Sequence, residues 1–552
     1  MTKTKVLSAP LLLCLLVLAV GLSSLNLMAW TQPQVMSNAV VNYPVAADVS
    51  APLRDFPATP FVAPSSQSTI SIRPTKSPTA SLHGPTAPTS LPNPFVNVTV
   101  GLNLEGVGNG STNNCPSVSG TTVAPPDTNA AVGDTQVVQW VNLCYAVFDK
   151  TTGALLAGPF AGNHFWAGFG GSCQTANAGD IIIQWDKSNH VWVASQNVFG
   201  PYMTCLAVSK TADATGAYNR FAFTQPGFPD YPKWGLTPGV YYQTQNDFGT
   251  GSAYVGVNVC AYDAAALRAG SKKAKQICIL DNSGGTLFDD SMLPADLDSD
   301  PKPNNGGNQP PEVLLGSIDN ANPGSNVYEY VMTVNLKKGS ATLTGTNGSM
   351  PIAVPSYNLA CGGFAACIPQ PSTGSELLDS LGDRLMYRLA LFDDGITQHF
   401  TVNHSVNNTT AVGVRWYEFT APEGSQTLSL YQSGNTPDDG EYRWMGSIAH
   451  DKTNDIAIGY SRSSSAAGDY PSIYLSGQQA GEPIGTTDAE TLVWQGSGSQ
   501  LSTANRWGDY SSMALDGADF CSFWYTTEYY SADGSFAWQT RLIGQIKFPN
   551  CH

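Results

Sequence analysis

Charged side chains make up only 12% of the 552 residues, so the ones that recur just ahead of short apolar runs invite a chemical reading. They are Asp127, Asp180, Lys233, Glu312, Asp383 with Arg384, Arg443, and Arg506 with Asp509. If the runs that follow are strands meeting at one axis, these residues form a ring of both signs. Such a ring has the groups to hold a cation, to receive the hydroxyls of a sugar, or to supply an acid and a nucleophile for glycoside cleavage. In the last case Asp509 or Asp180 would serve as acid, and Tyr510 or Glu312 as nucleophile or its partner. The alternative is mutual salt bridging that only closes a channel.

Two words stand out, Tyr442-Arg443-Trp444-Met445-Gly446-Ser447 and Arg506-Trp507-Gly508-Asp509-Tyr510-Ser511. Arg beside Trp offers a planar donor fork and a stacking face, suited to a carboxylate or a sugar. Equally, each Trp would be core and each Arg would pair with an Asp. A third cluster is Asp296, Asp298 and Asp300, whose alternating carboxylates suit a loose Ca²⁺ loop. It is not an EF-hand, because Pro301 and Gly307 occupy the positions that need Gly and Glu. No zincin His-Glu-x-x-His, hydrolase Gly-x-Ser-x-Gly or phosphate-binding Gly-rich loop with Lys occurs. His164, His190, His399, His404 and His450 are scattered and read as structural residues.

What would position these groups is a repeat. Seven times a short apolar strand ends in an Asp or Gly turn and a second strand rich in Val, Tyr, Trp and Phe follows. The turns at Asp134, Asp186, Gly239, Asp319, Asp393, Asp451 and Asp516 are spaced by 52, 53, 80, 74, 58 and 65 residues, which suits four-stranded units with loops of varying length. Asp at a turn caps nearby backbone N–H groups, so the repeat itself signifies hairpins. Stacking such sheets face to face around an axis buries both their faces, and the predicted fold is an all-β, seven-bladed β-propeller over 95–552. A pair of two-sheet sandwiches is the rival. The strand around Phe95–Leu102 is placed to join the last blade beside Arg541–Phe548 and close the ring.

The N-terminus, Met1-Thr2-Lys3-Thr4-Lys5 followed by an uncharged stretch to about Trp30, reads as an export signal or an uncleaved anchor, residues 1–30. Residues 31–94, rich in Pro, Ser, Thr and Ala, read as a disordered linker. Ten cysteines beyond the apolar stretch, with no Cys-x-x-Cys, favour disulfides and hence an extracellular location. The local pairs suggested are Cys260 with Cys278, Cys361 with Cys367, and Cys521 with Cys551. A net charge of −16 repels phosphate backbones and excludes nucleic acid as a partner. Membrane contact is expected only through an uncleaved N-terminal segment, and the chain is expected to be a monomer.

Pro125–Gly133, Phe228–Lys233, Asp383–Arg388, Arg443–Ile448 and Arg506–Ser511 together resemble a group of large exported bacterial propeller proteins of unassigned function. That group is similar in layout to sialidases, which use an arginine triad, an acidic residue and a Tyr/Glu pair. The resemblance implies Arg384, Arg443 and Arg506 as the triad, although no Asp-box Ser-x-Asp-x-Gly-x-Thr-Trp is present. The expected function is binding of a glycan or surface protein at the channel mouth, through Arg384, Arg443, Arg506, Trp444, Trp507, Asp127 and Lys233. A sialidase-like glycoside hydrolase and a structural or adhesion module are the alternatives.

Overall fold

In the computed structural model, most of the chain that follows the Pro-rich stretch is antiparallel β-sheet with a few single helical turns. The structure describes residues 1, 32–56, 98–110, 112–250, 253–283, 291–299, 311–317, 323–363, 366–371, 376–503 and 505–552. Residues 2–30 of the segment read as an export signal, and residues 31 and 57–94 of the linker reading, lie outside them. Among the described residues no helix is long and apolar enough to cross a membrane.

Four-stranded antiparallel meanders follow one another along the chain. Their first strands are Thr128–Val132, Ile182–Asp186, Pro229–Leu236, Leu293–Leu297, Met386–Asp393, Tyr442–His450 and Ser512–Leu515. Each first strand lies against the next, and Ser512–Leu515 lies against Thr128–Val132. Apolar clusters fill the spaces between successive meanders: Trp140, Trp192 and Tyr218 belong to one, Trp234, Tyr262 and Phe223 to the next. Because a sheet packed this way is covered on both faces, its strands are buried along nearly their whole length, as in Val191–Phe199. The low content of charge has the same cause.

The hairpin turns carry the predicted Asp caps. Asp186 accepts from the N–H groups of Ser188 and Asn189, Asp393 from Gly395, Asp451 from Thr453 and Asp455, and Asp516 from Ala518. The last meander takes its fourth strand from far upstream, since Thr99–Glu105 pairs antiparallel with Trp538–Lys547. Five disulfides are present, Cys115–Cys144, Cys173–Cys205, Cys260–Cys278, Cys361–Cys367 and Cys521–Cys551.

Two sequence expectations are corrected. The hairpin at Leu314–Asp319 is the second and third strands of its meander, Glu312–Gly316 and Gly324–Asn335, not the first and second. The true first strand, Leu293–Leu297, is masked in sequence by Pro294 and Asp296, and it pairs in parallel with Met386–Asp393 as well as antiparallel with Glu312–Gly316. Secondly, the described part of the linker reading is paired chain. Val35–Met36, Val40–Asn42 and Ala46–Val49 add to the outer edges of three meanders. With two to four residues each, these strands carry no pattern of their own; the sheet edges supply the hydrogen-bond groups that hold them.

At the hub one buried guanidinium links several first strands. Arg388 donates from Nε to Asp296 Oδ2 at 2.9 Å and from Nη1 to the Met513 carbonyl at 3.0 Å, and its Nη2 pairs with Asp298. Lys187 Nζ donates to Asp298 Oδ1 at 2.7 Å, and Gln184 Nε2 to Asp296 Oδ2 at 2.9 Å. Removing the guanidinium would strand two carboxylates in the interior, a loss of about 3–5 kcal/mol. Arg388→Ala is therefore expected to lower the denaturant midpoint steeply, and a midpoint equal to wild type would show that the hub is not held by this pair of contacts.

Candidate functional site

The first strands are preceded, or interrupted near their start, by a residue in the left-handed region. These residues are Asp127 (φ 51°), Asp180 (φ 45°), Tyr231 (φ 53°), Ser291 (φ 58°), Met445 (φ 56°) and Asp509 (φ 58°). Asp tolerates this conformation, whereas Tyr and Met adopt it only when their surroundings compel it. The turn swings the backbone out of its pleat, and at four of these positions the side chain reaches one small cavity.

That cavity, about 30 Å³ and so room for one or two waters, is lined by Asp127, Asp180, Asp230, Tyr231, Arg384, Arg506 and Asp509, with Val123–Pro125 and Asn142. The lead-in turns interlock. The Tyr231 N–H donates to Asp180 Oδ2 at 2.9 Å, the Tyr231 hydroxyl to the Asp509 carbonyl at 3.0 Å, and the Asp127 N–H to the Gly508 carbonyl at 3.0 Å. Arg506 grips the Asp509 carboxylate through Nε and Nη2. Arg384 holds Asp383 in the same bidentate way, at 3.0 and 2.6 Å, and donates to Ser291 Oγ at 2.6 Å. Its guanidinium carbon lies 4.6 Å from the centre of the Tyr231 ring.

Carboxyls outnumber cations here, and the electrostatics reflect it. Burial, reinforced by the neighbouring acids, pushes Asp230 up to about 8 and Asp180 up to about 6, and carries Asp127 well above the carboxylate range. Asp127 Oδ1 has no hydrogen-bond partner. Behind the cavity Lys233 is fully buried, with Nζ 3.4 Å from the centre of the Tyr231 ring and 4.0 Å from that of Tyr510. Burial brings its ammonium down to about 7. At neutral pH the site thus keeps a proton on at least one carboxyl while Asp509 is committed to Arg506.

Of the sequence candidates, Asp127, Asp180, Arg384, Arg506 and Asp509 meet at the cavity, and Lys233 and Tyr510 stand behind it. Tyr510 is buried and donates to the Ile181 carbonyl at 2.9 Å, so its hydroxyl is turned away from the cavity. Glu312 is elsewhere, on a second strand, because its repeat was displaced by one strand; it is buried near Asp296. Arg443 does not join Arg384 and Arg506. It precedes the turn at Met445 and is clamped by Glu490 at 2.5 and 2.7 Å and by Asp439 at 2.8 and 3.0 Å. Trp444 and Trp507 are fully buried, their ring centres 5.7 Å apart, and offer no face to a ligand.

Asp296 and Asp298 belong to the hub rather than to a loop, and Arg388 and Lys187 occupy the places a Ca²⁺ ion would need; Asp300 lies outside the described residues. Asp230 and Tyr231 were overlooked in sequence, although the Pro229-Asp-Tyr-Pro232 turn that presents them interrupts an apolar run. Among the described residues a further group with metal-ligand chemistry, His399, Glu418 and His450, sits away from this cavity.

No family model matches the chain, and no curated protein matches it. Solved structures similar to it include an α-L-arabinanase of Penicillium chrysogenum in complex with arabinobiose, at 9% identity over 58% of this chain and 93% of that one, with a TM-score of 0.28. A subtype N11 neuraminidase-like protein of A/flat-faced bat/Peru/033/2010 (H18N11) is similar at 9% identity, over 75% of this chain and 91% of that one, with a TM-score of 0.30. The polysaccharide lyase Uly1 is similar at 8% identity, over 77% and 91%, with a TM-score of 0.39.

The raised acids set the sign of a pH effect. Their contribution to stability is complete below about pH 4, the range of an unfolded Asp, and is lost as pH rises through about 6 and about 8. Lys233, lowered, acts in the opposite sense only above about pH 7. Between pH 4.5 and 7 the melting temperature is expected to fall less in Asp230→Asn than in wild type. Identical slopes in a series of thermal melts would show that Asp230 titrates as an ordinary carboxyl.

Proposed function

We propose that the chain is an exported seven-bladed β-propeller whose channel mouth binds an extracellular glycan. The closed succession of first strands supports the seven blades, and the five disulfides support export to an oxidising compartment. The observation that carries the binding reading is the surplus of carboxyls around a polar cavity. Among the described residues Asp127, Asp180 and Asp230 have no guanidinium pair of their own, and sugar hydroxyls are donors that would satisfy them. The cavity admits one hydroxyl-bearing edge rather than a whole ring, so most of the sugar would lie on the rim formed by Val123–Pro125 and Asn142.

A glycan array with the purified full chain tests this reading. Asp180→Asn is expected to weaken binding at least tenfold. Arg443→Ala, which breaks a clamp remote from the mouth, is expected to lower the melting temperature and leave affinity unchanged. The reverse pattern, or no glycan bound at all, would defeat the assignment.

A hydrolytic reading is favoured by one arrangement: Asp230, which burial pushes up to about 8, lines the same small cavity as Asp509, whose carboxylate Arg506 holds, and glycoside cleavage uses a pair of carboxyls. Tyr510 and Glu312 drop out of it, because neither lines the cavity. Fluorogenic glycosides, a sialoside included, should then be turned over by wild type and not by Asp230→Asn. Absence of turnover in wild type removes hydrolysis and leaves binding.

A further inference from the structure

Away from the mouth, three side chains far apart in sequence meet between two meanders. His399 lies on Thr397–Asn407, Glu418 on Val412–Pro422, and His450 at the end of Tyr442–His450. Glu418 Oε1 is 2.6 Å from His399 Nδ1 and 3.9 Å from His450 Nε2, and one ligand atom from each residue lies within 4.8 Å of the others. A tetrahedral Zn²⁺ bound at about 2.1 Å separates its ligand atoms by about 3.4 Å, so the observed spacings bracket what an ion requires. A small turn of the His450 ring closes the set.

The hydrogen bonds within the group do not account for it. Pairing with Glu418 occupies one nitrogen of His399, but His450 is 1% exposed and neither of its ring nitrogens has a hydrogen-bond partner of normal geometry. Its ring stacks on His399 at 4.8 Å and leans on Phe392 at 5.5 Å. A buried imidazole whose lone-pair nitrogen has no partner is unfavourable, and a metal bond would give that nitrogen one.

The surroundings have the second layer of contacts that metal sites use. Gln432 Nε2 donates to the far oxygen of Glu418 at 2.7 Å, and Gln432 Oε1 accepts from the Gly485 N–H at 2.8 Å, which fixes the carboxylate plane. On the solvent side, Asp394 Oδ2 stands 3.7 Å from His399 Nε2 and is partly exposed. Asp394 thereby holds the His399 ring from its outer nitrogen, and a water would supply the fourth ligand.

We propose that His399, Glu418 and His450 form a site for a divalent transition-metal ion of the zinc class, which joins the fifth and sixth meanders. Two imidazoles and one carboxylate suit Zn²⁺ or Co²⁺ and not Ca²⁺ or Mg²⁺, which take oxygen ligands. The site is independent of the channel mouth, and its presence or absence leaves the glycan reading untouched.

The test is titration of the untagged, chelator-stripped full chain with Co²⁺ and then Zn²⁺. One equivalent of Co²⁺ is expected to give visible absorption bands that Zn²⁺ abolishes, and Zn²⁺ should raise the melting temperature. His450→Ala and Glu418→Gln are expected to weaken binding at least tenfold and to lose the thermal shift, whereas His190→Ala, at a surface histidine, should change neither. Should the two site variants fail to fold, X-ray absorption on Zn²⁺-loaded wild type decides, with two imidazoles and at least one oxygen expected around the metal. Fewer than two imidazoles, no uptake, or equal affinity in folded variants would overturn the proposal.

Discussion

The structure turns on the ion cluster around Arg388. Its guanidinium lies between Asp296 and Asp298 from one meander and reaches the Met513 carbonyl of another, while Lys187 and Gln184 bring in a third. Ions removed from water this completely repay their desolvation only when every partner is in place. The network therefore tolerates one arrangement of the first strands, and a slip of register in any of them would leave a charge alone. The parallel pairing of Leu293–Leu297 with Met386–Asp393 is the backbone expression of the same demand, because it lays Asp296 beside Ala390 and brings both acids to Arg388.

Above this hub, the lead-in turns convert a structural constraint into a chemical site. Strands that converge on an axis leave little width at their ends, and the left-handed residue at each start diverts the chain before it collides with its neighbour. Where that residue is Asp, a carboxyl is delivered to the centre. Burial, with several acids crowding a space that holds few cations, then favours the protonated carboxyl and pushes Asp230 up to about 8 and Asp180 to about 6. The same crowding that strains the backbone thereby gathers the carboxyls on which the proposed glycan binding rests.

The rim follows a different logic. Each meander ends in an outer strand with unpaired backbone groups, a hazard for edge-to-edge association. In three successive meanders the chain covers this edge with its own residues from 35–49. In the last, Thr99–Glu105 supplies the outer strand from the far end of the sequence, and Cys521–Cys551 secures the C-terminus nearby. These arrangements show why the Pro-rich stretch could not be read locally: its strands are too short to bear a period and exist only because an edge awaits them.

By itself, the sequence determined what local periodicity and turn chemistry can express: the hairpins, their Asp caps, the all-β class, the closing strand, and acids and arginines placed at strand starts. Tertiary structure decided which of these meet. Arg384 and Arg506 share a cavity, while Arg443, followed by Trp as Arg506 is, was captured by Glu490 and Asp439. Leu293–Leu297 was invisible because an inner strand that pairs on both sides needs no apolar alternation, and His399 and His450 were invisible as a pair because they come from different meanders. A pattern along the chain reports the face a residue occupies, but which charge finds which partner is set by distances that appear only when the sheets are packed.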